Sequence, residues 1–101
     1  MKIELSGMEQ LLTVRLEGEL DHFTTAKIKE AVEDELVRTG ARNIAFDFSG
    51  VTFMDSSGIG MILGRYKTVS ALGGKIILFG MSPETDRIMR MSGVNKLAEI
   101  Y

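Results

Sequence analysis

Between Ile44 and Phe79 the spacing of apolar residues changes twice, and this constrains the fold more than any other feature of the chain. Ile44, Phe46 and Phe48 alternate with Ala45 and Asp47, the period of a strand with one face more apolar than the other. Ile59, Ile62, Leu63, Tyr66 and Val69 then recur at helical spacing until Gly73-Gly74 interrupts them. Lys75 to Phe79 closes the unit with Ile76, Ile77, Leu78 and Phe79 in unbroken succession, as expected of a strand buried on both faces. Strand, helix and strand in this order predict a right-handed crossover between parallel strands.

The flanking segments extend the pattern. Lys2 to Leu5 is a short strand candidate, Ser6 to Met8 a turn, and Leu12, Val14 and Leu16 alternate with polar residues. This predicts an antiparallel N-terminal hairpin. Gly18 to His22 breaks the second strand, and Asp21, Thr24 and Thr25 are all candidate caps for the following helix. That helix places Ile28, Ala31, Val32 and Leu36 on one face and ends at Gly40. Ser82-Pro83-Glu84 supplies a cap, a first-turn proline and an acidic first turn for a third helix that stops at Gly93, before a short strand over 97–101. Five strands and three helices in alternation predict an α/β domain with a mainly parallel sheet. At 101 residues the chain is expected to form a single domain over 1–101.

Composition narrows the function. Twelve basic against fourteen acidic residues leave a net charge of −2 and no basic stripe, which disfavours nucleic acid and anionic membranes as partners. No apolar run approaches a membrane span, and none near Met1 reads as a signal peptide. The lack of cysteine excludes thiol chemistry and fits a reducing compartment, so a cytoplasmic location is expected. One histidine and scattered carboxylates show no metal-ligand spacing, and Gly58-x-Gly60 lacks the rest of a phosphate-binding loop. No metal or cofactor is expected.

The chemistry concentrates in Phe53-Met54-Asp55-Ser56-Ser57-Gly58-Ile59-Gly60-Met61, where a strand gives way to a helix. Free N–H groups and the positive end of a helix dipole meet there. Asp55, Ser56 and Ser57 are all good helix caps. Only one can cap, so at least one hydroxyl is left over. A phosphoryl group on it would bring about −1.5 to −2 charge at pH 7 and could accept from first-turn N–H groups without unfolding the domain. A partner docked here would meet a new anion beside Asp55, and a penalty of about 3 kcal/mol would weaken binding roughly a hundredfold. Spacing leaves Ser56 and Ser57 equivalent as acceptors. The seven methionines are expected to fill the core, but Met54 and Met61 flank the serines, and an exposed pair there would suit a protein-binding surface. Asp21-His22, in the loop that opens the first helix, either caps and faces solvent or joins the same docking surface. Gly60 and Gly64, four apart within the helix, each cost about 1 kcal/mol of propensity, which a close backbone approach to the sheet or to a partner would offset. Arg65 and Lys67 are expected on a solvated face. A nucleophilic-serine enzyme would have to recruit His22, and Met54-Asp55 before Ser56 is not a nucleophile elbow, so catalysis is not expected.

Four blocks together resemble the bacterial anti-sigma factor antagonists and, more broadly, the STAS domain: Gly18-Glu19-Leu20-Asp21-His22, the stretch Phe53 to Gly60, Leu63-Gly64-Arg65-Tyr66-Lys67, and Ser82-Pro83 with Met91-Ser92-Gly93. The resemblance implies helices packed mainly on one side of the sheet. It also implies partner switching, in which the bare protein binds an anti-sigma factor that is a serine kinase and so frees the sigma factor. The kinase phosphorylates the first serine of the motif, here Ser56, and a serine phosphatase reverses it. By the same resemblance Asp21, His22, Met54, Ser57, Gly58, Ile59 and Met61 would lie in or near the partner-binding surface, with Asp55 supporting the phosphorylation site. Family members usually continue past the last strand into a further helix, whereas this sequence stops at Tyr101. The rival implied by the wider family is a STAS interaction module of a stress-signalling scaffold or transport complex. From another class, a small hydrolase using Ser56 would lose turnover on His22→Ala.

Overall fold

A computed structural model describes residues Met1–Tyr101. Five strands form one mixed sheet in sequence order: β1 (Lys2–Met8), β2 (Leu11–Leu20), β3 (Asn43–Met54), β4 (Ile76–Phe79) and β5 (Glu99–Ile100). β1 and β2 pair antiparallel, and every other neighbour pair is parallel. Three helices connect the parallel strands: α1 (His22–Thr39), α2 (Ser56–Ala71) and α3 (Pro83–Met91), with a short 3-10 turn over Val94–Lys96. No helix is long and apolar enough to cross a membrane.

The sheet buries one face. Leu12, Val14, Leu16 and Leu20 of β2 alternate with less buried neighbours, and Ile44, Phe46, Phe48, Ile76 and Leu78 continue that face across β3 and β4. The helices contribute Ile28, Val32 and Leu36 from α1, Met61, Ile62 and Val69 from α2, and Met89 from α3 to the same core. The one-sided packing implied by the resemblance is therefore present. β4 departs from the two-sided burial that its unbroken apolar run suggested: Ile77 and Phe79 are only half-buried, because no helix covers the opposite face. A four-residue strand of large apolar side chains serves a one-sided sheet as well as a two-sided one.

Two boundaries also move. β1 runs through Ser6 and Gly7 to Met8, and the turn falls at Glu9, whose φ is 57°. β2 continues past Gly18 to Leu20 because β3 pairs with it along its whole length. That pairing contains two irregularities. Leu12 lies opposite Ile44, Gly18 opposite Val51 and Leu20 opposite Met54, so β3 gains one residue on β2 twice. The inward positions of β3 are accordingly Phe48, Val51 and Met54, three apart, against Leu16, Gly18 and Leu20, two apart.

Gly74 shows how tightly α2 returns to the sheet. A Cβ there would lie 1.7 Å from the Arg42 carbonyl oxygen, a clash with backbone rather than with a movable side chain. Asn43 ties the same corner, its Oδ1 accepting from Lys75 N–H at 2.9 Å. Gly74→Ala is expected to destabilise the fold by about 2–3 kcal/mol, read as a lower urea midpoint at unchanged slope.

Candidate functional site

Parallel strands end at the same edge of a sheet. β2 ends at Leu20 and β3 at the paired Met54, and each is followed at once by an aspartate that caps a helix. The Asp55 N–H donates to the Leu20 carbonyl at 3.1 Å, which fixes the two starts against each other. Asp21 and Asp55 therefore stand side by side, with the first turns of α1 and α2 rising from them.

At α1 the cap is reciprocal. Asp21 Oδ1 accepts from Phe23 N–H at 3.0 Å and Thr24 N–H at 2.9 Å, while Thr24 Oγ1 accepts from the Asp21 N–H at 2.8 Å. The hydrogen bond from Thr24 N–H, more than any other influence, holds the Asp21 carboxyl below its ordinary value of 3.8. Of the three candidate caps, Asp21 is the one used. Its carboxylate serves the backbone and not the adjacent imidazole. His22 stands exposed, its ring 5.6 Å from that of Phe23 in an edge-on arrangement.

At α2, Asp55 Oδ1 accepts from Ser57 N–H at 2.8 Å, and the Asp55 carbonyl accepts from Gly58 N–H at 3.1 Å. Asp55 is the cap, so both hydroxyls are spared that role. They differ in place. Ser56 is exposed, whereas Ser57 is half-buried and turned toward α1. Two of the first-turn N–H groups expected to receive an anion are already engaged by Asp55, so a phosphoryl group on Ser56 would stand beside that carboxylate and project outward.

Three residues expected on the docking surface are instead internal. Met54, 7% exposed, is the last inward position of β3, and Met61, 5% exposed, belongs to the core stripe of α2. Gly58 is buried against Met54, where a Cβ would sit 2.5 Å from the Met54 Cγ. The methionines fill the space beneath the first turn of α2, and Gly58 makes room for them. Ile59 is half-buried against the core. What remains at the surface is Asp21, His22, Asp55, Ser56 and Ser57.

The sequence reading also missed two features. Phe23 is 77% exposed and Phe53 52% exposed, flanking the caps on the two neighbouring segments. Phe23 lies out of phase with Ile28, Val32 and Leu36, and that offset was the available signal. Arg65 is buried, with a side chain 6% exposed, while Lys67 is exposed as expected. Its position three after Ile62 and four before Val69 puts it on the inward stripe. Its Nη2 lies 3.0 Å from Glu33 Oε1 on α1, and its Nε has no hydrogen-bond partner. Leaving such a donor unmade costs about 1–3 kcal/mol. Gly60 and Gly64 approach nothing: a Cβ on either meets no atom within 4 Å, so the close packing to the sheet that would offset their cost is absent. They face a notch of about 420 Å³ between α1 and α2.

The family described as STAS domain matches residues 2–101. The anti-sigma F factor antagonist of Paenibacillus polymyxa is 37% identical over 101 residues, covering 100% of this chain and 86% of that protein. The anti-sigma-B factor antagonist of Listeria monocytogenes is 34% identical over 83 residues, covering 82% of this chain and 72% of that protein. The solved structure of the anti-sigma factor antagonist SpoIIAA in its unphosphorylated form superimposes with a TM-score of 0.86 at 29% identity, over 99% of this chain and 88% of that one. The phosphorylated form of the Bacillus cell fate determinant SpoIIAA gives 0.78 at 29% identity, over 99% and 91%.

The Asp21 cap carries a pH signature. A carboxyl whose folded-state pKa is depressed stabilises the fold above its unfolded pKa, and that contribution disappears as pH falls through the folded value. Asparagine caps equally well but does not titrate there. Asp21→Asn should therefore flatten the acid limb of stability below about pH 4, seen as a smaller drop in melting temperature on acidification than in the parent chain.

Proposed function

This chain belongs to the STAS domain family, and on that premise we propose that it is an anti-sigma factor antagonist whose grip on its partner is released by phosphorylation of Ser56. The observation that carries the choice of site is the exposure of Ser56 on the first turn of α2, next to a cap already supplied by Asp55. Ser57, half-buried and facing α1, is the poorer substrate for a kinase that must seat the hydroxyl in its own active site.

Both forms keep the fold. The Ser56 side chain holds no cap, and the core lies beneath Met54 and Met61, so a phosphoryl group displaces no packed atom. What changes is the surface. Asp55 and Asp21 already place two carboxylates at this edge, and a doubly charged group among them makes a strongly negative patch. A partner shaped to the bare form meets repulsion there, of the several kcal/mol that like charges cost across an interface. The docking surface we assign consists of Asp21, His22, Asp55, Ser56 and Ser57, with Phe23 as its aromatic anchor. Exposed aromatic rings at the centre of an interface commonly contribute most of the affinity. Both relatives compared above are named as antagonists of anti-sigma factors, which supports an anti-sigma factor as the partner. We further propose that this partner is the serine kinase, that a serine phosphatase restores the bare form, and that the exchange takes place in the cytoplasm. No catalytic step by this chain is needed.

Phosphorylation by the cognate kinase with ATP is expected to vanish in Ser56→Ala and persist in Ser57→Ala, as mapped by mass spectrometry; the reverse pattern would move the acceptor to Ser57. Ser56→Asp should weaken binding to the anti-sigma factor at least tenfold while the melting temperature stays nearly constant. Phe23→Ala should likewise weaken binding roughly tenfold or more without loss of stability, measured by calorimetric titration against the same partner.

A further inference from the structure

We propose, resting on the docking surface assigned above, that Glu33 is a positioning residue for it: its carboxylate fixes the tilt of α1 against α2, and with it the distance of Asp21 and Phe23 from Ser56. That surface is carried by two separate helices, with Asp21 and Phe23 at the start of α1 and Asp55 and Ser56 at the start of α2. A surface in two halves binds tightly only when the halves are held beforehand at the spacing the partner requires.

α1 is anchored far from its start. Its buried side chains begin at Ile28, and none before that residue is buried. Thr24 Oγ1 donates to the Glu19 carbonyl at 2.9 Å, a bond to β2 and not to α2. Across the notch, α2 presents Gly60 and Gly64, so no side chain at those positions spans the gap. The packing of Ile28, Val32 and Leu36 on the sheet sets the depth of α1, but apolar contact is non-directional and leaves the tilt open. Directional contact between the helices is made by one atom. Glu33 Oε1 lies 3.0 Å from Arg65 Nη2 and 3.5 Å from the Thr68 hydroxyl, both on α2, and no other hydrogen bond or ion pair joins the two helices. Arg65 is itself buried in the inward stripe of α2, so the bridge is pinned from that side. Glu33 lies ten positions beyond Phe23. That is about 15 Å along the helix axis, and a tilt of about 4° at Glu33 would carry Phe23 roughly 1 Å. Ser56 would not follow, because Gly58 against Met54, and Met61 in the core, hold the start of α2 in place.

The test uses the full unphosphorylated chain with its cognate kinase and ATP, following phosphorylation of Ser56. Residual dipolar couplings of the free chain report the angle between α1 and α2. Glu33→Leu/Arg65→Met replaces the ion pair by apolar side chains, an exchange that commonly leaves stability unchanged or raised. Its melting temperature is expected to equal or exceed that of the parent, while the interhelix angle shifts by a few degrees. KM should rise roughly fivefold or more at constant kcat, the mark of lost docking with the acceptor intact. Glu33→Gln keeps an oxygen facing Arg65 but leaves the guanidinium charge unneutralised. It should lose melting temperature yet keep the parent's angle, with KM within about twofold of the parent's. A merely structural side chain would give the reverse pattern, with KM following the melting temperature. The proposal is overturned by that reverse pattern, or by an apolar pair variant with the parent's angle or the parent's KM. A parent chain that the kinase neither binds nor phosphorylates overturns the docking reading and this role of Glu33 with it. A parent that binds no better than the apolar variant sinks this role alone.

Discussion

The structure depends on one pairing, that of β2 with β3. These are the two longest strands, ten and twelve residues, and they run together to a common end at Leu20 and Met54. Their parallel alignment leaves no choice about where the next elements begin. Two helices must start side by side at one edge, each with unpaired N–H groups to satisfy. The chain meets that demand twice with the same residue type, Asp21 and Asp55. The edge proposed for docking is thus a by-product of closing two helices onto one face of a sheet, and its two carboxylates are the caps themselves.

A division of labour follows within α2. Gly58 and Met61 look inward with Ile62 and Val69, and set how closely the helix sits on β3. Ser56 looks outward and contributes nothing to that packing. Ser57, Gly60 and Gly64 look sideways toward α1. A single helix therefore carries a structural face, an exposed face with Ser56, the acceptor proposed above, and a face bordering a notch.

The element order, the antiparallel hairpin, the parallel crossovers and the two capped helix starts at one sheet edge were legible because each rests on periodicity or on strong punctuation such as Asp21, Gly40, Ser82-Pro83 and Gly93. Boundaries were less legible. Gly18 reads as a breaker, yet β2 passes through it because β3 supplies a partner on the far side, and pairing outweighs local propensity. The sequence leaves Met54 and Met61 open between core and docking surface, because flexible apolar side chains suit both equally, and for Met54 only the register with Leu20 separates the two uses. Arg65 was misread. Its charge suggested solvent, while its place in the Ile62–Val69 stripe required burial, and Glu33, which makes that burial tolerable, lies 32 positions away in the chain.

The two places where β3 gains on β2 have a consequence for how such chains can diverge. Each extra residue is taken up as a local irregularity that widens the spacing of inward positions from two to three, and Phe48, Val51 and Met54 all still meet the core opposite Leu16, Gly18 and Leu20. A length change of a single residue in this stretch, absorbed in the same way, therefore leaves Met54 beside Leu20 and the serine-bearing turn beside α1.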